Sequence, residues 1–150
     1  MSTHASSVQN LPAQDLRRDA GFQAFWLLRA GFAVLPILFG IDKFANVLTG
    51  DWTKYLAPAF NHIVGNASTT MHVVGIVEIV AGVVVLLLPR IGGPVVALWL
   101  LGIIVNLLII RGYGDVALRD FGLMAAALTL SRLAYAYPND IRLLRSDSAR

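Results

Sequence analysis

Long apolar stretches, separated by short polar ones, organise this chain. Four of them reach the roughly 20 apolar residues that a helix needs to cross a bilayer core. They run over residues 22–44, 70–88, 93–110 and 116–135. Valine and isoleucine are frequent, but polar and apolar residues do not alternate as they must in a membrane barrel strand. The pattern predicts an all-α integral membrane protein with four transmembrane helices.

Residues that start or stop helices lie at the ends of these stretches. Ser68 and Thr69 can cap the second helix, and Pro89 is expected to end it. Pro94 suits the first turn of the third helix, and Asp115 can cap the fourth. Two of the three connections are short, which favours an up-and-down four-helix bundle.

Polar segments flank the predicted bundle. Residues 1–20 are small and polar and are interpreted as a mobile arm. Residues 21–137 form the four-helix domain, and residues 138–150 form a short basic cytoplasmic tail. The first apolar run begins only near Phe22 and continues for about twenty residues, so it is expected to stay attached as a span instead of being removed as a secretory signal.

The connection after the first span is the only long one, over about residues 45–67. It contains Trp52 and Tyr55, which prefer the headgroup layer of a membrane. We therefore expect this segment to lie on the membrane surface, partly helical as far as Pro58.

The distribution of basic residues predicts the orientation. One side of the membrane would hold Arg17, Arg18, Arg90, Arg132, Arg142, Arg145 and Arg150. The other would hold Lys43, Lys54, Arg111 and Arg119. The excess on the first side predicts that both termini are cytoplasmic, in a multi-pass protein of the plasma membrane.

Composition agrees with a membrane protein and excludes several kinds of chemistry. Apolar residues make up 57% of the chain and charged residues 14%, against about half and a quarter in soluble domains. The absence of cysteine excludes disulfide scaffolds, thiolate metal sites and dithiol redox chemistry. The net charge of +3 is scattered, so no nucleic-acid partner is expected. No metal motif or phosphate-binding loop is present, and two of the three histidines, His4 and His62, lie outside the spans, which argues against paired-histidine haem.

Two ionisable residues, Arg29 and Glu78, lie at membrane depth. Such a group costs about 2.5 to 3.5 kcal/mol on insertion scales and normally faces the protein interior with a partner. At about 1.5 Å per residue, Arg29 is expected roughly 12 Å above the start of the first span, and Glu78 roughly 15 Å above the end of the second. Gly75 and Gly82 share a helix stripe with Glu78 and allow another helix to approach closely. We predict an Arg29–Glu78 ion pair, which either only fixes helix register or forms a ligand-headgroup or proton-handling site.

A second polar set is expected toward the opposite, outer half of the bundle. Its members are Asp42, Lys43, His72, Asn106, Arg119 and Asp120. These side chains could line one outer vestibule. For Lys43 and Arg119, extension of the charged end to the membrane interface is an equally good explanation. His72 alone is more typical of a hydrogen-bonded helix-end residue than of a ligand.

Three segments resemble the DoxX-like family of four-helix membrane proteins. The first segment, in the first span, is Leu27-Leu28-Arg29-Ala30-Gly31 through Phe39-Gly40-Ile41-Asp42-Lys43-Phe44. The second, in the second span, is Gly75-Ile76-Val77-Glu78-Ile79-Val80-Ala81-Gly82 followed by Leu86-Leu87-Leu88. The third, at the start of the fourth span, is Asp115-Val116-Ala117-Leu118-Arg119-Asp120-Phe121-Gly122-Leu123. The resemblance covers about residues 22–136. The chain departs from the family in its longer, more aromatic first connection and in Ser131-Arg132-Leu133-Ala134-Tyr135, where the family has a glycine-rich end.

The resemblance implies a four-helix membrane fold and an association with redox systems. Some relatives are thiosulfate:quinone oxidoreductase subunits, and others form membrane complexes with proteins that counter oxidative stress. We therefore expect an accessory or anchor subunit of a membrane redox or respiratory complex, with a membrane protein or a second copy as partner. Four helices leave little chain for a complete catalytic apparatus, so no catalytic residue is assigned.

The alternative is a stand-alone small transporter, or a quinone-linked oxidoreductase, that works through the buried Arg/Glu pair. In either case a quinone could bind between helices near that pair. Phe25, Phe32 and Trp99 are the candidate ring contacts, with ordinary packing as the other explanation for them.

Overall fold

The computed structural model describes residues 19–60 and 65–137. The predicted arm up to residue 18, the predicted tail 138–150 and His62 lie outside the described residues. The described part contains four α-helices, α1 (Ala20–Ala45), α2 (Ala67–Leu87), α3 (Pro89–Ile110) and α4 (Gly114–Ala136), and no strand. Two short 3₁₀ turns, Thr53–Tyr55 and Pro58–Phe60, occupy the long connection. The all-α prediction is confirmed.

Three of these helices, α1, α2 and α3, are long and apolar enough to cross a membrane. Large apolar side chains cover their outward faces, among them Leu38, Ile76 and Leu98. Such surfaces are typical of helices solvated by lipid. The fourth helix, α4, has 23 residues but carries Asp115, Arg119, Asp120 and Arg132.

The helix ends differ from the predicted caps. Asn66, two residues before Ser68, caps α2 by accepting a hydrogen bond from the Thr69 N–H at 2.9 Å. Pro89 follows the end of α2 at Leu87, as expected, and it also begins α3, with only Leu88 between the two helices. A proline suits a first helical position because its fixed φ is already helical and the N–H that it lacks would be unpaired there. Asp115 lies within the first turn of α4 instead of capping it.

The helices pack most closely in two pairs, α1 with α2 and α3 with α4, and the pairs meet more lightly through α2–α3 and α1–α4. Glycine allows the close approach within each pair. A Cβ atom added at Gly40 would lie 2.5 Å from the Gly75 carbonyl oxygen, and one added at Gly82 would lie 2.6 Å from the Ala33 carbonyl oxygen. At Gly93 the corresponding distance to the Ala127 carbonyl oxygen is 2.6 Å. These contacts fix the register of each pair.

Candidate functional site

Glu78 forms its ion pair with Lys43 of α1. The Lys43 Nζ lies 2.6 Å from the Glu78 Oε2, and the two residues are only 6% and 8% exposed. The ring of Trp52, from the long connection, lies 4.2 Å from the same Nζ. The prediction that Arg29 pairs with Glu78 is therefore wrong.

The register of α1 against α2 explains the correction. Gly40 faces Gly75 and Ala33 faces Gly82, so Arg29 lies level with Leu86, about 12 Å along the helix axis from Glu78. The sequence argument placed the ends of the two spans at one level, whereas α1 begins about two turns before the level at which α2 ends. Helical side chains also lean toward the N-terminus of their own helix. Lys43 and Glu78 therefore lean toward each other across the Gly40–Gly75 contact.

Arg29 binds the end of α2 instead of a carboxylate. Its Nε donates to the Leu86 carbonyl oxygen at 3.1 Å, and its Nη2 donates to the same oxygen. The last carbonyls of a helix have no partner within the helix and carry the negative end of its dipole. The guanidinium carbon also lies 4.8 Å from the Trp26 ring, while the buried Nη1 has no partner in the described part of the chain. Arg29 thus acts as a cationic cap for α2.

Asp42 anchors the start of the long connection. Its carboxylate accepts hydrogen bonds from the N–H groups of Val47 and Leu48, both at 2.8 Å, and of Thr49 at 3.3 Å. It also accepts from the Trp52 Nε1 at 2.9 Å. These bonds hold the Trp52 ring over the Lys43 ammonium.

Asn106 anchors the same connection further along. Its Oδ1 accepts from the Ala57 N–H at 2.8 Å, and its Nδ2 donates to the Tyr55 carbonyl oxygen at 2.6 Å. An amide side chain that pairs with both a donor and an acceptor of one backbone segment can replace a strand neighbour. Asn106 and Asp42 are thus structural anchors of the loop.

Two further residues approach Glu78 from α3 and α4. The Trp99 indole lies beside Glu78, and its buried Nε1 has no hydrogen-bond partner among the described residues. Asp120 lies near enough for its charge to repel that of Glu78, and it is half-buried. We call Lys43, Glu78, Trp52, Trp99 and Asp120 the charge cluster.

Other predicted residues lie outside the charge cluster. Arg119 pairs with Asp115 at 3.5 Å, with the two side chains 76% and 65% exposed. His72 stacks on the Phe44 ring, 4.9 Å between ring centres. Of the three candidate quinone contacts, Phe25 and Phe32 are buried in the apolar core, and only Trp99 is near Glu78.

Outside the helices, two groups have shifted proton affinities. The exposed Asp51 accepts from both the N–H and the hydroxyl of Thr53, which holds the pKa of that carboxyl below its usual value. At the opposite end of the molecule, burial and the neighbouring Asp19 carboxylate raise the pKa of Tyr137 to about 12. The Tyr137 hydroxyl donates to Asp19 Oδ1 at 2.7 Å.

Sequence reasoning overlooked Lys43 as the partner of Glu78, and the signal for it was present. Lys43 shares a helix stripe with Gly40, just as Glu78 does with Gly75, and paired glycines mark where two membrane helices touch. Trp52 could not be placed in the same way, because a loop has no periodicity that fixes the direction of its side chains.

No protein-family model, curated protein or solved structure matches this chain. Among the described residues no group of three or more histidine, aspartate or glutamate side chains could hold a metal ion.

Proposed function

We propose that this chain is a DoxX-like, four-span protein of the plasma membrane that serves as an accessory or anchor subunit of a membrane redox or respiratory complex. In this proposal α4 is the fourth span, the helices form an up-and-down bundle, and both termini are cytoplasmic. One observation carries the proposal: most of the polar groups buried among the helices are committed to partners within the chain.

The pairing of these buried polar side chains bears on the choice between a subunit and a transporter or enzyme. Glu78 is paired with Lys43, Arg29 with the Leu86 carbonyl, and Asp42 and Asn106 with the backbone of the long connection. A transporter or an enzyme needs polar groups that are free to meet a ligand. A subunit that supplies rigid packing surface needs the opposite, so this arrangement favours the subunit.

The properties of α4 support its place in the membrane. Its 23 residues span about 34 Å, against roughly 30 Å for a bilayer core. Arg119 and Asp115 are exposed near its first turns, where headgroups would solvate them. Between these and Arg132, the outward face carries Phe121, Leu123 and Leu128.

One observation favours a second function, a small transporter or quinone-linked oxidoreductase acting through the charge cluster. The buried N–H of Trp99 lacks a partner among the described residues, and a ligand oxygen could accept from it. The ionised pair at the centre of such a site would be Lys43–Glu78 instead of Arg29–Glu78.

Purification of the tagged, full-length chain from its native membrane in mild detergent tests the subunit function. We expect a stoichiometric partner that carries a redox centre, identified by mass spectrometry and by quinone extraction from the same sample. An unrelated multi-pass protein with the same tag and expression level is the matched control. Recovery of the chain alone, with transport or quinone turnover that Glu78→Gln abolishes, would overturn the proposal in favour of the second function.

A further inference from the structure

Positive charge is in excess at the end of the helices that carries Arg29. Among the described residues this end holds three arginines, Arg29, Arg90 and Arg132, and one carboxylate, Asp19. Arg29 is buried against the end of α2, whereas Arg90 and Arg132 are exposed. Neither exposed arginine forms an ion pair with a residue in 19–60 or 65–137. Two guanidinium groups at this end therefore lack a carboxylate partner within those ranges.

Arg90 is held in place by the last turns of α4. Its Nε donates to the Ala134 carbonyl oxygen at 2.9 Å, and its own carbonyl oxygen accepts from the Ser131 Oγ at 2.9 Å. The guanidinium carbon lies 5.2 Å from the centre of the Tyr135 ring. These contacts use one of the five N–H donors of the guanidinium. The remaining donors are fixed in a planar fork, whose geometry fits the oxygens of a phosphate group.

Arg132 lies on the same side of α4 as Tyr135, because residues three positions apart are neighbours on a helix. It precedes the end of α4 at Ala136 by four residues, about 6 Å along the axis. A long basic side chain at this depth extends toward the headgroups, which here means toward the ring that Arg90 also contacts. We call Arg90, Arg132 and Tyr135 the arginine patch.

The arginine patch lies at a membrane face. Arg90 is the second residue of α3 and follows the short connection from α2, and both helices are long and apolar enough to cross a membrane. Tyrosine and arginine are typical of the headgroup layer, where the lipid phosphates lie. One turn before Arg132, the exposed Leu128 continues the same side of α4 as an apolar surface.

We propose that the arginine patch binds the headgroup of an anionic phospholipid. The lipid phosphate accepts hydrogen bonds from the Nη groups of Arg90 and from the guanidinium of Arg132, and an acyl chain lies along Leu128. A zwitterionic lipid binds less well, because its choline group brings a third positive charge to the site. The inference rests on the proposed orientation, in which this face is cytoplasmic and carries the anionic lipids.

Native mass spectrometry of the full-length chain in a mild neutral detergent tests this assignment without reference to orientation. We expect the chain to retain one phosphatidylglycerol molecule in preference to phosphatidylcholine. Arg90→Gln and Arg132→Gln should each weaken phosphatidylglycerol binding about fivefold, the usual effect of one basic residue at a membrane surface. Arg111→Gln is the matched control, because Arg111 is an exposed arginine at the other end of the helices, and it should leave binding unchanged.

Arg90→Lys separates a positioned guanidinium from general surface charge. This variant keeps the charge but loses the fork of donors and the bond to the Ala134 carbonyl, so binding should weaken several-fold. Binding as tight in Arg90→Lys as in the unsubstituted protein, or an equal loss in Arg111→Gln, would overturn the proposal. Equal retention of phosphatidylcholine would do the same. If the Arg90 variants fail to fold, Arg132→Gln on the exposed side of α4 still decides the question.

Two other ligands of the arginine patch would give different results. Displacement of phosphatidylglycerol by an excess of inorganic phosphate would indicate a site for soluble phosphate and overturn the lipid as its occupant. Loss of a co-purifying partner in Arg132→Gln, with phosphatidylglycerol binding unchanged, would assign the patch to an acidic protein segment. Phosphatidylglycerol binding as expected, in a chain that co-purifies with no partner, would support the lipid site and count against the subunit function alone.

Discussion

The two ends of the helices compensate charge by different means. At the Lys43 end, Glu78 lies in the interior of α2 and is neutralised by a side chain of opposite sign. At the other end, Arg29 donates to the Leu86 carbonyl oxygen, and the Arg90 Nε donates to the Ala134 carbonyl oxygen at 2.9 Å. Both arginines thus bind the C-terminal ends of neighbouring helices.

The difference follows from where free backbone groups exist. A helix leaves its last four carbonyls unpaired and concentrates negative charge there, so a cation near a C-terminus needs no carboxylate. In the interior of a helix every N–H is already bonded to a carbonyl. A carboxylate such as Glu78 can then be compensated only by another side chain. The Lys43 end should accordingly be the more sensitive to side-chain substitution.

The largest effect is expected from separating the members of the ion pair. Lys43→Met should lower the free energy of unfolding by about 3 kcal/mol or more, because it leaves a buried carboxylate without its partner. The double variant Lys43→Met, Glu78→Leu should recover most of this loss, since no charge is then buried alone. Unfolding by SDS in detergent micelles, followed by circular dichroism, measures the unsubstituted protein, the two single variants Lys43→Met and Glu78→Leu, and the double variant, which together form a double-mutant cycle.

The same cycle with Arg29 in place of Lys43 is the control. Because Arg29 and Glu78 do not touch, their substitutions should add to within about 0.5 kcal/mol. A coupling between Arg29 and Glu78 as large as that between Lys43 and Glu78 would contradict the structure.

A smaller effect is expected at the Arg29 end. Arg29→Lys keeps the charge but loses the two N–H groups that converge on the Leu86 carbonyl. We expect a loss of about 1.5 to 3 kcal/mol, the usual worth of hydrogen bonds to charged groups. Arg132→Lys, an exposed exchange on α4, is the matched control and should leave the unfolding free energy unchanged. An equal response in both variants would show that the carbonyl contact contributes no stability.

The hydrophobic pattern alone predicts the positions of the helices well, but it predicts poorly which side chains pair between them. The four predicted stretches agree with the observed helices to within about four residues at each end, because roughly 20 apolar residues in a row have few other conformations in a membrane. The pairing of Glu78 depends on an axial offset between α1 and α2, and periodicity carries no information on offset. Only the glycine contacts fix it.

The outer polar residues show the same limit. Asp42 and Asn106 were expected in one vestibule, and both do lie near the long connection, but they bind its backbone. A loop of irregular structure supplies N–H and C=O groups that need partners. The sequence places those groups within reach of the helix ends without indicating which side chain will satisfy them.

The helix contact beside the charge cluster can be tested by adding one methyl group. Gly40→Ala would place a Cβ 2.5 Å from the Gly75 carbonyl oxygen, so α1 and α2 must move apart at a cost of about 1 to 3 kcal/mol. In Gly102→Ala the added methyl group meets nothing within 4 Å, and replacing a helical glycine should stabilise by about 0.5 to 1 kcal/mol. The difference in SDS midpoint between the two variants measures the contact, and equal midpoints would count against it.

The smallest effect concerns the Arg29 end, where Tyr137 donates to Asp19 at 2.7 Å. Tyr137→Phe removes this hydrogen bond and should cost about 1 kcal/mol. The raised pKa of Tyr137, about 12 against 10.0, gives the bond a specific pH dependence. From pH 10 upward the unfolded chain loses the phenolic proton while the folded chain keeps it, so the folded state is progressively destabilised until the pH passes about 12.

Ultraviolet titration of tyrosinate absorbance checks this behaviour. The folded protein should contain one late-titrating tyrosine that disappears in Tyr137→Phe, whereas Tyr135→Phe, an exposed neighbour, should leave that late phase intact. Below pH 10 the phenol is protonated in both states, so stability there should not change with pH on account of this group. If the late phase survives in Tyr137→Phe, the late-titrating group is not the Tyr137 phenol that donates to Asp19. The comparison between the two ends would then rest on the contacts of the two arginines alone.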